Sequence, residues 1–239
     1  MIVLFTDFGV EGPYTGQVQS VLHQQAPGVP VISLFADLAP FDIEAAAYLL
    51  PAYAGDFPPG TVFLCVVDPG VGSARPGVVV LADGRWYVGP KEGLFAVLAR
   101  RAREVSCSQL ADDASASASF HGRDVFAPVA AQLARGGPVP GEPVSSGVLL
   151  VPEWPDELWR VAYVDRYGNA ISGVRAATIN AGMVFMLNGH TVHGARTFSD
   201  VSGGEAFWYE NSSGLLEFAV NRGRADEILG LMTGAEINS

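Results

Sequence analysis

Three short, unbroken apolar runs constrain this chain most: Ile2-Val3-Leu4-Phe5, the stretch from Val62 to Val67, and the stretch from Val78 to Ala82. Each is too short for a buried helix and lacks the alternation of a half-exposed strand. Each therefore reads as a strand covered on both faces, which needs helices above and below the sheet. The chain supplies them. Tyr14 to Gln25 carries Val18, Val21 and Leu22 at helical spacing and stops before Pro27-Gly28. Phe41 to Tyr53 is helical in pattern, with Pro51 expected to kink or end it. Val31 to Phe35 and Trp86 to Val88 read as further strands, and Gly93 to Arg103 and Val125 to Ala134 as helices. The result is an α/β N-terminal domain with a Rossmann-like layered sheet.

Past residue 136 the pattern changes. Residues 136–155 are rich in Pro, Gly, Val and Ser and read as a connection between domains. Trp159 to Val164, Met183 to Leu187, Ala206 to Tyr209 and Leu215 to Val220 then read as strands between Gly, Asn and Asp turns, closed by a helix over Ala225 to Met232. The expected organisation is an α/β domain over 1–140, a linker over 141–157 and a small β-barrel-like domain over 158–239.

Composition narrows the function. Forty-nine per cent of the residues are hydrophobic and 16% charged, so the chain can bury a core and is not disordered. The formal net charge of −11 argues against a nucleic-acid partner, which would require Lys and Arg to displace counterions. Cys65 and Cys107 lie far apart with no C-x-x-C spacing, so neither a zinc site nor a disulfide framework is expected. The N-terminus lacks the pattern of a signal peptide, and no apolar run approaches the roughly 20 residues of a membrane span. A cytoplasmic protein with no membrane partner is expected.

Five stretches carry chemistry. Thr6-Asp7-Phe8-Gly9 follows the first strand, where open α/β sheets collect ligands and where Asp7 can accept hydrogen bonds from a ribose diol. An ordinary Asx turn would use the same residues. Asp68-Pro69-Gly70-Val71-Gly72-Ser73-Ala74-Arg75 ends another buried strand, and Asp68 and Arg75 can face each other across its tight turn, as reactive groups or as a loop salt bridge. Phe120-His121-Gly122-Arg123-Asp124 sets a proton-exchanging imidazole ahead of a helix. Arg123 and Asp124 read as an ion pair, with Asp124 mainly a helix cap. In the second half, Asp165-Arg166-Tyr167-Gly168-Asn169 and the stretch from Asn211 to Glu217 are turns whose amides and hydroxyls can also read a purine or a carboxylate. Asp7, Asp68, His121 and Asp124 are of metal-ligand type but lack tight ligand spacing, so no metal is expected.

Taken in order, these stretches, together with Pro40-Phe41-Asp42, resemble the S-adenosyl-L-methionine (SAM) hydroxide adenosyltransferases, the SAM hydrolases related to fluorinase and chlorinase. The resemblance covers almost the whole chain. It implies hydrolysis of SAM to adenosine and L-methionine without a cofactor, in a homotrimer whose active sites lie between the N-domain of one subunit and the C-domain of the next. It assigns catalysis to Asp68, Arg75 and His121. The halogenases carry Tyr at the position of Asp68, so Asp68 favours water over halide. Asp7 matches the residue that grips the ribose hydroxyls, and Phe41 an aromatic wall beside the ribose; Tyr14 keeps the usual Tyr. Asn169, Ser212, Glu217, Val220 and Asn221 fall in segments that contact adenine, ribose and methionine. The chain departs from the pattern at Gly12, where an Asp is common, at Lys91-Glu92, where the usual segment is P-D-N-G, and at Gly223-Arg224-Ala225, where it is G-N-A. A 5'-halogenase and a non-catalytic SAM or adenosine sensor are the alternative readings, the sensor drawing on Gly12 and Lys91-Glu92.

Overall fold

A computed structural model describes residues 1–73, 75–112 and 116–237. Ala74, Asp113, Ala114, Ser115, Asn238 and Ser239 lie outside the described residues. The chain forms two compact units, one of residues 1–51 and 57–152, the other of residues 52–56 and 153–239.

The first unit is built on a seven-stranded sheet. Its strands are β1 (Ile2–Thr6), β2 (Val31–Phe35), β3 (Val62–Val66), β4 (Gly77–Ala82), β5 (Arg85–Pro90), β6 (Val105–Gln109) and β7 (Glu142–Val144), in the order β2-β1-β3-β5-β4-β6-β7. The part from β2 to β5 is parallel; β4, β6 and β7 add antiparallel pairs, so the sheet is mixed and not the uniformly parallel sheet of a doubly wound fold. The β4–β5 hairpin is the cause. Its tight Asp83-Gly84 turn, with both residues at positive φ, reverses the chain where a parallel sheet would need a crossover helix.

The apolar runs behave as their composition demands: every residue of β1 and of β3 is buried. Helices α1 (Tyr14–Gln25) and α4 (Ala127–Ala134) pack with Ile2, Leu4, Leu64, Val79 and Val88 into one core. Helix α2 (Ile43–Ala54) runs through Pro51 instead of ending there. The proline forfeits one helical hydrogen bond, but Ala45 to Leu50 are all buried, and packing holds the helix. Helix α3 spans only Ala96–Arg101, because Gly93 at φ 92° forms a turn before it. Strand β7 lies within the segment read as a connection and completes the first sheet.

The second unit carries β8 (Leu158–Val164), β9 (Ala170–Arg175), β10 (Val184–Leu187), β11 (His190–Gly194), β12 (Ala206–Glu210) and β13 (Leu215–Val220), in the order β10-β11-β12-β13-β9-β8. It is a curled sheet left open, with β10 and β8 at its ends. Helix α5 covers only Ala225–Ile228 because the chain turns at Gly230, φ 69°. β6, β9 and β11 escaped the sequence reading because Ser, Gly and His dilute their apolar character. No helix of the described residues is long and apolar enough to cross a membrane.

Candidate active site

Parallel pairing of β1 with β3 sets Thr6 opposite Val66, so Asp7 and Asp68 leave neighbouring strands at the same sheet edge. Strand β5 continues that edge in parallel. Because β4 runs antiparallel to β5, with Gly77 opposite Pro90, the start of β4 lies there too and delivers Arg75. His121 arrives from a different direction, immediately before a π-helical turn, Gly122–Phe126, that leads into α4. The Ala127 amide bonds back to the Gly122 carbonyl, five residues earlier. Pro128 has no N–H to give the Asp124 carbonyl, which favours the wider turn. Gly122 lies so close to Phe8 that a Cβ would stand 3.0 Å from its ring.

At this edge Arg75 clasps Asp68 with two hydrogen bonds, Nε donating to Oδ1 at 2.6 Å and Nη2 to Oδ2. Arg75 Nη2 also lies 3.5 Å from His121 Nδ1. Both members of the ion pair are only 6% exposed, so the charges are screened little by solvent. Phe126 lies below the guanidinium, its ring centroid 5.7 Å from Arg75 Cζ. The three residues thus form one bonded group.

A cleft of about 330 Å³ opens on Asp68 and His121 and is lined further by Asp7, Phe8, Tyr14, Phe41 and Phe120. Phe8, Tyr14 and Phe120 pack edge-on or tilted, with centroids 5.5–6.3 Å apart, a rigid apolar wall. The Phe41 amide donates to Asp7 Oδ2 at 3.1 Å. Phe41 itself is held at φ 66° and is 71% exposed, an unfavourable backbone state for an exposed aromatic residue and one that marks functional positions. Burial pushes the Asp7 carboxyl above its usual range, opposed by backbone hydrogen bonds from Phe41 and Asp7 itself, with the Asp68 charge adding to the rise. A diol donating to this carboxylate would offset its desolvation. A second cavity, of about 260 Å³, is bordered by Arg75, His121, Gly77 and Phe126. Among the described residues no group of three or more His, Cys, Asp or Glu is arranged to hold a metal ion.

Asp124 does not cap the helix as its position in the sequence suggests. Its Oδ2 accepts the Ser117 amide at 3.0 Å, while Arg123 Nε donates to Oδ1 at 2.6 Å, so it ties the preceding loop to the π-turn. Phe8 and Phe120, to which their motifs assign no role, are walls of the cleft.

In the second unit the remaining candidates lie on β13 and on or beside three turns. Asn169 is buried, its amide donating to Asp165 Oδ2 at 3.0 Å. Glu217, 4% exposed on β13, accepts from Tyr209 Oη and, at 2.9 Å, from Asn211 Nδ2. Asn211 belongs to the stretch that the sequence singles out, whereas Tyr209, on β12, was missed. Ser212 is exposed at the turn, and Asn221 donates to the Val201 carbonyl at 2.8 Å. Val220 is buried in the apolar core, so it offers a ligand backbone only.

Burial pushes the Glu217 carboxyl up, against the hydrogen bonds from Tyr209 and Asn211. Its folded pKa thus exceeds its unfolded one, so the associated stability is complete below the ordinary value of 4.5 and is lost as pH rises through the folded value. Glu217→Gln removes the titration. The melting temperature of the variant minus that of the parent is expected to grow as pH is raised above that value, and thermal melts across pH check it. Any pH-independent cost of the new amide facing Asn211 cancels in the slope.

Comparison with known proteins gives matches in both units. Residues 2–141 match the SAM hydroxide adenosyltransferase N-terminal domain and residues 159–238 the C-terminal domain of the same family. A (R)-S-adenosyl-L-methionine hydrolase of Thermus thermophilus is 42% identical, with 99% of this chain and 98% of the relative aligned. One of Salinispora arenicola is 34% identical over 97% of this chain and 94% of its own length. The crystal structure of an uncharacterized conserved protein from Thermotoga maritima superposes with a TM-score of 0.89 at 31% identity, covering 100% of this chain and 99% of the other. Matched in both units and along almost its full length, the chain belongs to the SAM hydroxide adenosyltransferase family.

Proposed function

We propose that this chain hydrolyses S-adenosyl-L-methionine to adenosine and L-methionine, and that Asp68, Arg75 and His121 act on the attacking water. The observation that carries the reading is the bonded Asp68–Arg75–His121 group, whose Asp68 and His121 line a cleft that also presents Asp7 and four aromatic rings. The sulfonium is already a good leaving group, so no acid is needed to release methionine. What the site must supply is a nucleophile in line with C5' and stripped of most of its water shell. Asp68 and His121 hold the water and take its proton, while the Arg75 charge favours hydroxide character. A C5'–O bond forms as the C5'–S bond breaks, and the electron pair leaves on sulfur as the thioether of methionine.

Asp7 grips the ribose hydroxyls, with Phe41 beside the ring and Tyr14 in the same cleft. Asn169, Ser212, Glu217, Val220 and Asn221 contribute the adenine and methionine contacts from a neighbouring subunit of a homotrimer. The first unit is a variant of the Rossmann-like layered plan and the second a partly closed barrel. The enzyme works in the cytoplasm on a small-molecule substrate, without a metal or other cofactor and without nucleic-acid or membrane partners.

The test is SAM turnover in isotopically labelled water, with products separated by chromatography. Adenosine carrying the label on its 5'-oxygen is expected. Methylthioadenosine, unlabelled adenosine or no product would overturn the reading.

A further inference from the structure

Glu92 belongs to none of the roles above, yet three observations tie it to them. It follows β5, whose end pairs with the start of β4, so the register that delivers Arg75 to the sheet edge delivers Glu92 as well. Its Oε2 lies 4.0 Å from Arg75 Nε, the same N–H that donates to Asp68. Its carboxylate also rests against the turn that follows Asp68, in space that a Cβ at Gly70 would need. Glu92 does not line the cleft, and its side chain is 27% exposed.

We propose that Glu92 is a positioning residue for hydrolysis, a second carboxylate that holds Arg75 and the Gly70 turn so that Asp68 stays aimed at the water. The inference rests on the hydrolytic reading above. A guanidinium with one carboxylate partner can swing with it; one held between two carboxylates keeps its plane while Asp68 exchanges a proton with the water. In this chain the segment after β5 reads Pro90-Lys91-Glu92-Gly93, so the carboxylate stands at position 92. Acting through Arg75 and not on the substrate, Glu92 should influence the chemical step and leave SAM binding alone.

The experiment compares Glu92→Gln, Glu92→Asp and Gly70→Ala with the parent in the full chain, measuring kcat and KM for SAM. In Glu92→Gln, which keeps the shape and loses the charge, kcat is expected to fall about five- to tenfold with KM within about twofold, the pattern of an interaction that acts only on the chemical step. Glu92→Asp keeps the charge and should recover most of kcat. Gly70→Ala displaces the carboxylate without removing it and should lower kcat as Glu92→Gln does. Parent-like kcat in Glu92→Gln, or kcat and KM worsening together in all three variants, would overturn the proposal. Absence of adenosine from the parent reaction would instead overturn the hydrolytic reading on which it rests.

Discussion

Asp68→Asn is expected to lower turnover of SAM by about 10²- to 10⁴-fold, the range that a positioned proton acceptor contributes. The dissociation constant for SAM should change little. Asn keeps the size of Asp and leaves an oxygen for Arg75 Nε, so the clasp loses one bond and the carboxylate charge but keeps its shape. Asp68→Ala is a poorer probe. Both side chains are 6% exposed, and emptying the position strands a buried guanidinium, which typically costs about 3–5 kcal/mol. Single-turnover formation of adenosine gives the chemical step, and calorimetric titration with SAM gives the affinity. Full turnover in folded Asp68→Asn would remove Asp68 from the reaction. His121→Ala provides an independent check: it leaves both Asp68–Arg75 hydrogen bonds in place while removing the imidazole beside Arg75.

Phe126→Ala is expected to destabilise the first unit by about 3–5 kcal/mol, as large-to-small changes at wholly buried aromatic sites do. Phe126 has no exposed surface and shares a core with Val79, Val88 and Ala130. It also lies against Gly77, where a Cβ would come within 2.6 Å of its ring. Chemical denaturation followed by a probe of the first unit measures the change, and a loss under about 1 kcal/mol would contradict the packing. The same ring supports Arg75 from below. Turnover should therefore fall even under conditions where the variant remains folded, with affinity for SAM affected less than kcat. Phe126→Leu, which refills much of the space without restoring the aromatic face, separates the two effects.

Much of the first unit was legible because its signals are local. Ile2 to Phe5 and Val62 to Val66 read as strands because a wholly apolar run this short falls below the length of a buried helix, and Tyr14 to Gln25 is a helix because its apolar residues recur on one face. Pro51 misled because a local breaker was outweighed by the burial of Ala45 to Leu50, a tertiary effect. Asp124 misled in the opposite sense. Its position before a helix suggested a cap, but the chain turns there as a π-helix and brings the Ser117 amide onto the carboxylate.

The sequence alone determined which residue types stand at the strand ends, and through its ordered motifs the family to which the chain belongs. It left Asp68, Arg75 and His121 as three separate residues, each with an ordinary structural alternative. Their union is decided by the antiparallel insertion of β4 beside β5, which returns the start of β4 to the carboxyl edge of a parallel sheet, and by the π-turn that presents His121 from α4. Sheet order and register come from pairing between strands distant in sequence, which no local pattern encodes. Glu92 shows the same division: in the sequence it is a departure from a motif, and only the β4–β5 register places it beside Arg75.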